Sequence, residues 1–272
     1  MLRQRVLVTV VLLPVGLWIF ALGGWVFAGV MALVLALAAH EYAGLFRRGG
    51  LRPSAVLLVG GAAALVLARQ ARGFDDSAAL LAGLALAAMT WHLVDFERGA
   101  PHSGTDFGIT LGGIAYLGLV GAYLVSLRNL PDGLWWLLIS LPAVWVGDSA
   151  AYFVGQAYGR HKMAPRLSPK KSWEGYVAGI VGAALAGAGL AALYTGTFHQ
   201  APTVTATAGL ILGLVLGLVT PLGDLGISML KREMQVKDSG RLLPGHGGAL
   251  DRTDSWLWAG VLGYYLARLL AA

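Results

Sequence analysis

The carboxylates Asp224, Asp251 and Asp254 flank a stretch in which acids and bases alternate at short range: Ser228-Met-Leu-Lys231-Arg232-Glu-Met-Gln-Val-Lys237-Asp238-Ser-Gly-Arg-Leu-Leu-Pro-Gly-His246-Gly247-Gly248-Ala249-Leu-Asp251-Arg252-Thr-Asp254. Carboxylate oxygens are the hard ligands that Mg²⁺ takes, and Lys and Arg suit the phosphates such a metal brings with it. Gly247 and Gly248 permit close backbone approach. The chemistry is that of a polyphosphate site. A second basic stretch reads Gly159-Arg160-His161-Lys162-Met-Ala-Pro-Arg166-Leu-Ser168-Pro169-Lys170-Lys171-Ser172-Trp-Glu174-Gly175. Here Ser168 is expected to cap a helix whose first residue is Pro169, and that helix start would offer amide N–H groups to an anion. An ordinary basic loop is the alternative. No GxxxxGK[ST] or GxGxxG run is present, so a standard nucleotide-binding fold is not indicated.

Further acids lie within or beside apolar runs, where an Asp at a helix centre costs about 2.5–3.5 kcal/mol. Asp148 falls in Trp145-Val-Gly-Asp148-Ser-Ala-Ala-Tyr152, a spacing that puts Asp148 and Tyr152 on one helix face. For Asp148 and Asp224 alike, an ion pair with a neighbouring helix is the structural alternative to a functional role. Asp224 follows Pro221 and Gly223, which loosen the helix end. Glu41, after His40 and near Arg47 and Arg48, is expected at the membrane interface, with a place at the site as the lesser alternative.

What must position these residues is a bundle of membrane helices. The chain is 57% hydrophobic and 12% charged, with a mean hydropathy of +0.69. A soluble globule carries about 25% charged residues, so half that charge cannot coat one of this length. Cysteine is absent, which excludes a disulfide scaffold, and the apolar content excludes a disordered chain. A window of about 20 apolar residues divides the chain into about nine spans. They cover Val6 to Leu22, Trp25 to His40, Ala55 to Ala68, Ala78 to Val94, Ile109 to Leu127, Leu134 to Val154, Tyr176 to Tyr194, Ala206 to Leu222 and Trp256 to Leu270. The first is read as a retained helix rather than a signal peptide. The expected fold is all-α and polytopic, one membrane domain in which residues 1–130 supply N-terminal helices and residues 131–272 carry the catalytic loops.

With nine spans, the N-terminus and the even-numbered loops share a face that holds every one of the 20 Lys and Arg except Arg69, Arg72, Arg128 and Arg268. That face is therefore cytoplasmic, with the C-terminus outside. The net charge of +6 reads as topology and phosphate binding rather than nucleic-acid binding. Trp135, Trp136, Trp256 and Trp258 suit interfacial anchors. The two long polar loops, Gly155 to Trp173 and Lys231 to Ser255, both fall on the cytoplasmic face. The spacings Gly175 to Gly179 and Gly213 to Gly217 are expected to be helix-packing sites.

The stretch from Ser228 to Asp254 resembles the signature of the phosphatidate cytidylyltransferases, the CDP-diacylglycerol synthases: Ser-x-x-Lys-Arg, Lys-Asp, Pro-x-His-Gly-Gly and Asp-Arg-x-Asp, with its spacing intact. Ala249 departs from it, where a larger aliphatic residue is usual. The segment Asp148 to Gly175 is similar to the family's Asp-x-x-Ala-Tyr-x-x-Gly run followed by Ser-Pro-x-Lys-[Ser/Thr]-x-Glu-Gly, with Gln156 where a basic residue is common. The resemblance implies conversion of CTP and phosphatidate into CDP-diacylglycerol and pyrophosphate. It also implies a metal centre of Mg²⁺ and K⁺ on an acidic pair, which falls on Asp224 and Asp251, with Asp254 as a weaker candidate.

On that likeness Lys231, Arg232, Lys237 and Arg252 hold phosphates of CTP or the lipid headgroup, with Ser228 and Asp238 beside them in the signature. Asp148, Ser168, Lys170, Lys171 and Glu174 line the nucleotide side, and His246 either donates to a phosphate oxygen or orders the loop. A bacterial inner membrane and a homodimer are the expected setting. Two other classes share some of these features. A polyprenol or dolichol kinase would use CTP and buried carboxylates without this signature, and a secondary transporter would cluster its acids near the midplane.

Overall fold

The computed structural model describes residues 13–198, 203–240 and 247–271. The chain runs through α1 (Leu13–Leu22), α2 (Gly24–Arg48), α3 (Ala55–Arg72), α4 (Ser77–Glu97), α5 (Ser103–Gly113), a π-helical segment (Ile114–Val120), α6 (Tyr123–Arg128) and α7 (Gly133–Tyr158). It continues through β1 (Lys162–Ala164), β2 (Ser168–Ser172), α8 (Trp173–Phe198), α9 (Ala206–Val219), α10 (Pro221–Glu233) and α11 (Leu250–Leu270). The protein is an all-α polytopic membrane protein.

Seven helical stretches among the described residues are long and apolar enough to cross a bilayer: Gly24–Arg48, Ala55–Arg72, Ser77–Glu97, Ser103–Arg128, Gly133–Tyr158, Trp173–Thr197 and Ala206–Glu233. They correspond to the second to eighth expected spans. The shortfall from nine lies at the two ends. Of the first expected span only Leu13–Leu22 is described, too short to cross. The ninth falls on α11, where Asp251, Arg252, Asp254 and Arg268 dilute the apolar run. Large side chains such as Leu86, Leu93 and Phe96 of α4 point outward, as helices facing lipid require.

The chain divides into two units. Met1–Ser126 with Leu230–Thr253 forms the first, and Leu127–Met229 with Asp254–Ala272 the second. In the first, α2 and α3 bury Leu35, Ala38, Leu45, Leu58, Ala62 and Leu65. Arg69 is also buried there, its guanidinium 2.8 Å from Ser126 Oγ and 3.0 Å from Ser77 Oγ and stacked 3.7 Å from the Phe74 ring centre. In the second unit α8 lies between α7 and α9. The expected small-residue packing sites are found there: a Cβ on Gly175 would lie 2.6 Å from Ala151 O, and one on Gly217 2.8 Å from Ile180 Cα.

Two local expectations are corrected. Ser168 does not cap a helix: it opens β2, which pairs antiparallel with β1 in the register Lys162 to Ser172 and Ala164 to Ser168. A helix begun at Pro169 would set Lys170 and Lys171 against the positive end of its dipole, whereas α8 begins at Trp173 with Glu174 in its first turn. Ser172 Oγ accepts the Gly175 N–H at 3.2 Å, so the capping serine lies four residues beyond the expected one. The second correction concerns the polar loop after Asp224. Pro221 opens a new helix with Asp224 in its first turn, and helical structure persists to Glu233 and resumes at Leu250. Both ends of the expected loop, Lys231 to Glu233 and Leu250 to Ser255, are thus helical.

Candidate active site

In the first unit, Asp251 is the centre of a buried polar cluster. Lys231 Nζ lies 2.6 Å from Asp251 Oδ1, and the two side chains are 12% and 10% exposed. The other oxygen, Oδ2, accepts from Ser239 N–H at 3.1 Å, Ser239 Oγ–H at 2.8 Å and Gly248 N–H at 3.3 Å. Burial opposes the charge on this carboxylate, but the Lys231 ammonium and the Ser239 donors outweigh it and hold the carboxyl below its ordinary value. Gly247, at φ +79°, is glycine for conformational reasons, because few other residues adopt that backbone.

The same cluster includes a residue that the sequence sets first at the interface, with a place at the site as the lesser alternative. Glu41 Oε2 accepts from Leu250 N–H at 2.9 Å and lies 3.1 Å from Ser239 Oγ. Arg48 donates to the carbonyls of Asp238, at 3.3 Å, and of Ser239. A cleft of about 290 Å³ opens beside them, lined by His40, Glu41, Arg48, Ser239 and Gly240 among others. The available signal was the face of α2: Glu41 and Arg48 are seven residues apart, two helical turns, and so share a stripe. Arg232, Lys237, Asp238 and Arg252 are exposed, and His246 lies outside the described residues.

In the second unit, Lys171 Nζ lies 2.6 Å from Asp224 Oδ2. Asp254 is buried and sits ahead of the apolar run that starts at Trp256. Ser255 donates to Asp254 Oδ1 through its N–H at 2.6 Å and its hydroxyl at 3.2 Å. Burial, joined by the negative charges of Asp224 and Asp148, nevertheless pushes the Asp254 carboxyl up to about 7. Glu174 accepts from the His161 backbone N–H at 3.2 Å and contacts its Nδ1 at 2.6 Å. The start of α8 is therefore occupied by its own acid and by the Ser172 cap, and is not the open anion site expected of a helix starting at Pro169. Ser228 is buried on α10, Ser168 is half-buried, and Lys170 and Asp148 are exposed.

These donors suit a hard divalent cation by type. Burial, and after it the negative charges of Asp224 and Asp148, raises the Asp254 carboxyl, and a cation beside these acids would offset that cost. Asp224 and Asp251 each hold a lysine ammonium at 2.6 Å, so both already engage a positive charge. Among the described residues no set of three or more His, Cys, Asp or Glu is arranged to hold a metal by itself.

A nearly buried Lys231–Asp251 pair and a more open Lys171–Asp224 pair give this membrane protein charged sites at the ends of its helices. The chain belongs to the cytidylyltransferase family, whose model it matches over residues 3–270. It is 34% identical to a phosphatidate cytidylyltransferase of Synechocystis sp. over 98% of this chain and 97% of that protein. It is also 34% identical to one from Brucella melitensis, over 99% of this chain and 94% of the relative. A Bacillus subtilis phosphatidate cytidylyltransferase is 41% identical over 60% of this chain and 58% of its own length.

Proposed function

We propose that the protein transfers the cytidylyl group of CTP to phosphatidate, giving CDP-diacylglycerol and pyrophosphate. Membership of the cytidylyltransferase family carries this reading, and the relatives' names supply the acceptor. A phosphate oxygen of phosphatidate bonds to the α-phosphorus of CTP, and the bond from that phosphorus to the departing pyrophosphate breaks. The second pKa of a phosphate monoester is about 6, so the nucleophile is already largely anionic and needs no strong base. The barrier is repulsion between anions, which fixed cations lower.

Lys231, Arg232, Lys237 and Arg252 are the groups we assign to the phosphates, with Ser228, Asp238 and His246 supporting that stretch. Asp148, Ser168, Lys170, Lys171 and Glu174 are assigned to the nucleotide side. Asp224 and Asp251 would hold Mg²⁺, with K⁺ as a second ion and Asp254 as a further candidate ligand; the metal would neutralise the phosphates and the leaving pyrophosphate. The resemblance of the signature carries this assignment, and a metal at either carboxylate would take the place of the lysine ammonium beside it. The distribution of Lys and Arg supports a cytoplasmic site in an inner membrane, where CTP is available. A homodimer completes the proposal.

The test is direct. Purified full-length protein, supplied with radiolabelled CTP, phosphatidate and Mg²⁺, should place the nucleoside in the lipid and release pyrophosphate. Label recovered as CDP, with a phosphorylated lipid, would assign the protein to CTP-dependent kinases instead. Asp251→Asn should abolish the transfer while the protein still inserts and extracts folded, and retained turnover would overturn the metal assignment.

A further inference from the structure

We infer that Glu41 is a positioning residue for Asp251, acting through the hydroxyl of Ser239 and the first turn of α11. The inference rests on the proposed function for its kinetic consequence, and on the geometry of the first unit alone for its structural one.

An acid on an apolar helix is costly unless something holds it. The Glu41 carboxylate is held by parts of the chain about two hundred residues away: Leu250 N–H at 2.9 Å and Ser239 Oγ at 3.1 Å, at sequence separations of 209 and 198. Leu250 is the first residue of α11, so Glu41 satisfies a backbone N–H that has no partner within its own helix. The negative charge also suits the positive end of that helix. Asp251 is the next residue, and its orientation follows from where the helix starts.

Ser239 forms the second connection. It is fully buried, and its oxygen lies between two carboxylates, 2.8 Å from Asp251 Oδ2 and 3.1 Å from Glu41 Oε2. A hydroxyl has one proton to donate. It can serve Asp251 or Glu41, but not both at once. When a cation engages Asp251, the hydroxyl can turn to Glu41 without leaving a buried donor unmade, and it returns when the cation departs. Glu41 is thus the alternative acceptor that lets Asp251 change partners inside a buried site.

The surrounding chain is shaped to this carboxylate. A Cβ added to Gly240 or Gly248 would overlap the Glu41 oxygens, so both positions are bare where the acid passes. Two turns further along the same face of α2, Arg48 holds the carbonyls of Asp238 and Ser239. One helix stripe therefore grips the segment before Asp251 at two points.

The experiment uses the full-length protein and the variants Glu41→Ala, Glu41→Gln and Ser239→Ala. Amide hydrogen exchange is measured first, without metal or substrate. Loss of a hydrogen bond to a charged acceptor predicts exchange at Ser239, Gly248 and Leu250 faster by about tenfold or more in Glu41→Ala. In Glu41→Gln, whose amide oxygen can still accept from Leu250, exchange should recover to within about threefold of wild type. Turnover should follow the same order. In Glu41→Ala, kcat should fall by about tenfold or more while KM for CTP and for phosphatidate stays within about twofold, as expected of a residue that acts through Asp251 rather than on a substrate.

Ser239→Ala should lower kcat similarly, and Glu41→Ala added to it should cost clearly less than Glu41→Ala costs alone, since the connection through the Ser239 hydroxyl is already gone. Should Glu41→Ala not accumulate, Glu41→Asp, whose shorter arm falls away from Leu250, takes its place. Unchanged exchange at these amides, kcat within about twofold of wild type, or full additivity with Ser239→Ala overturns the role of Glu41. If the wild-type protein transfers no cytidylyl group, the proposed function fails, and the exchange and additivity of stability alone decide on Glu41.

Discussion

Replacing Lys231 by Met keeps the aliphatic stem and removes the ammonium from Asp251. The pair is 12% and 10% exposed, within the range where breaking a buried ion pair costs about 3–5 kcal/mol. Asp251 would keep the Ser239 N–H, Ser239 hydroxyl and Gly248 N–H as donors, which places the loss at the lower end, about 3 kcal/mol at neutral pH. The sign of the pH dependence follows from the depressed carboxyl of the wild type. Its contribution to stability is fully present above the unfolded-state value of about 4 and disappears as pH falls through the lower folded value. In Lys231→Met, burial is no longer opposed by the ammonium and the carboxyl moves up, so the gap between the proteins is widest near neutrality and closes on acidification. Reversible unfolding in mixed micelles without divalent cations, compared at about pH 7 and about pH 4, measures that gap. If Asp251 binds Mg²⁺, the ion at about a hundred times its Kd should return about 2.7 kcal/mol to the variant. A loss below about 1 kcal/mol at neutral pH, or an equal loss at both pH values, would refute the reasoning.

The pair of Lys171 and Asp224 is more open, at 29% and 38% exposure, so Asp224→Asn should change stability by less than about 1 kcal/mol while cytidylyl transfer is lost; unfolding and turnover measured on one preparation separate the two. Asp254 has the opposite sign from Asp251: its carboxyl is raised to about 7, so the stability of the metal-free protein should decline as pH rises from about 4 through 7. Asp254→Asn should flatten that decline, and an unchanged pH profile would show that burial of the charge is not felt. Gly248→Ala would drive a methyl group into Glu41 and Ser239 Oγ, and the overpacking should cost about 1–3 kcal/mol in the unfolding midpoint along with reduced turnover.

The membrane class and seven of the spans were legible because each depends on a run of residues contiguous in sequence. The ends of the chain were less so. At α11, acids and bases occupy the first turn of the same helix that carries the apolar run, and a window average mixes the two. Ser168 and Pro169 form a locally sound helix start, yet the pairing of β1 with β2 claims them, and the charges of Lys170 and Lys171 favour the later start at Trp173. Residue types that could bind phosphate and metal were visible from composition and spacing, since Lys, Arg and Asp keep those capacities wherever they fall. Their partners were not. That Lys231 meets Asp251, that Lys171 meets Asp224, and that Ser239 stands beside both Glu41 and Asp251 are facts of tertiary packing. Glu41 is the sharpest case. Its own neighbours in sequence, His40, Arg47 and Arg48, describe an interfacial acid, and only the return of the chain at Ser239 and Leu250 turns it inward. A charge at the end of an apolar helix is therefore incompletely described by its helix: a basic residue two turns away on the same face, as Arg48 is, is the local sign that a distant polar segment docks there.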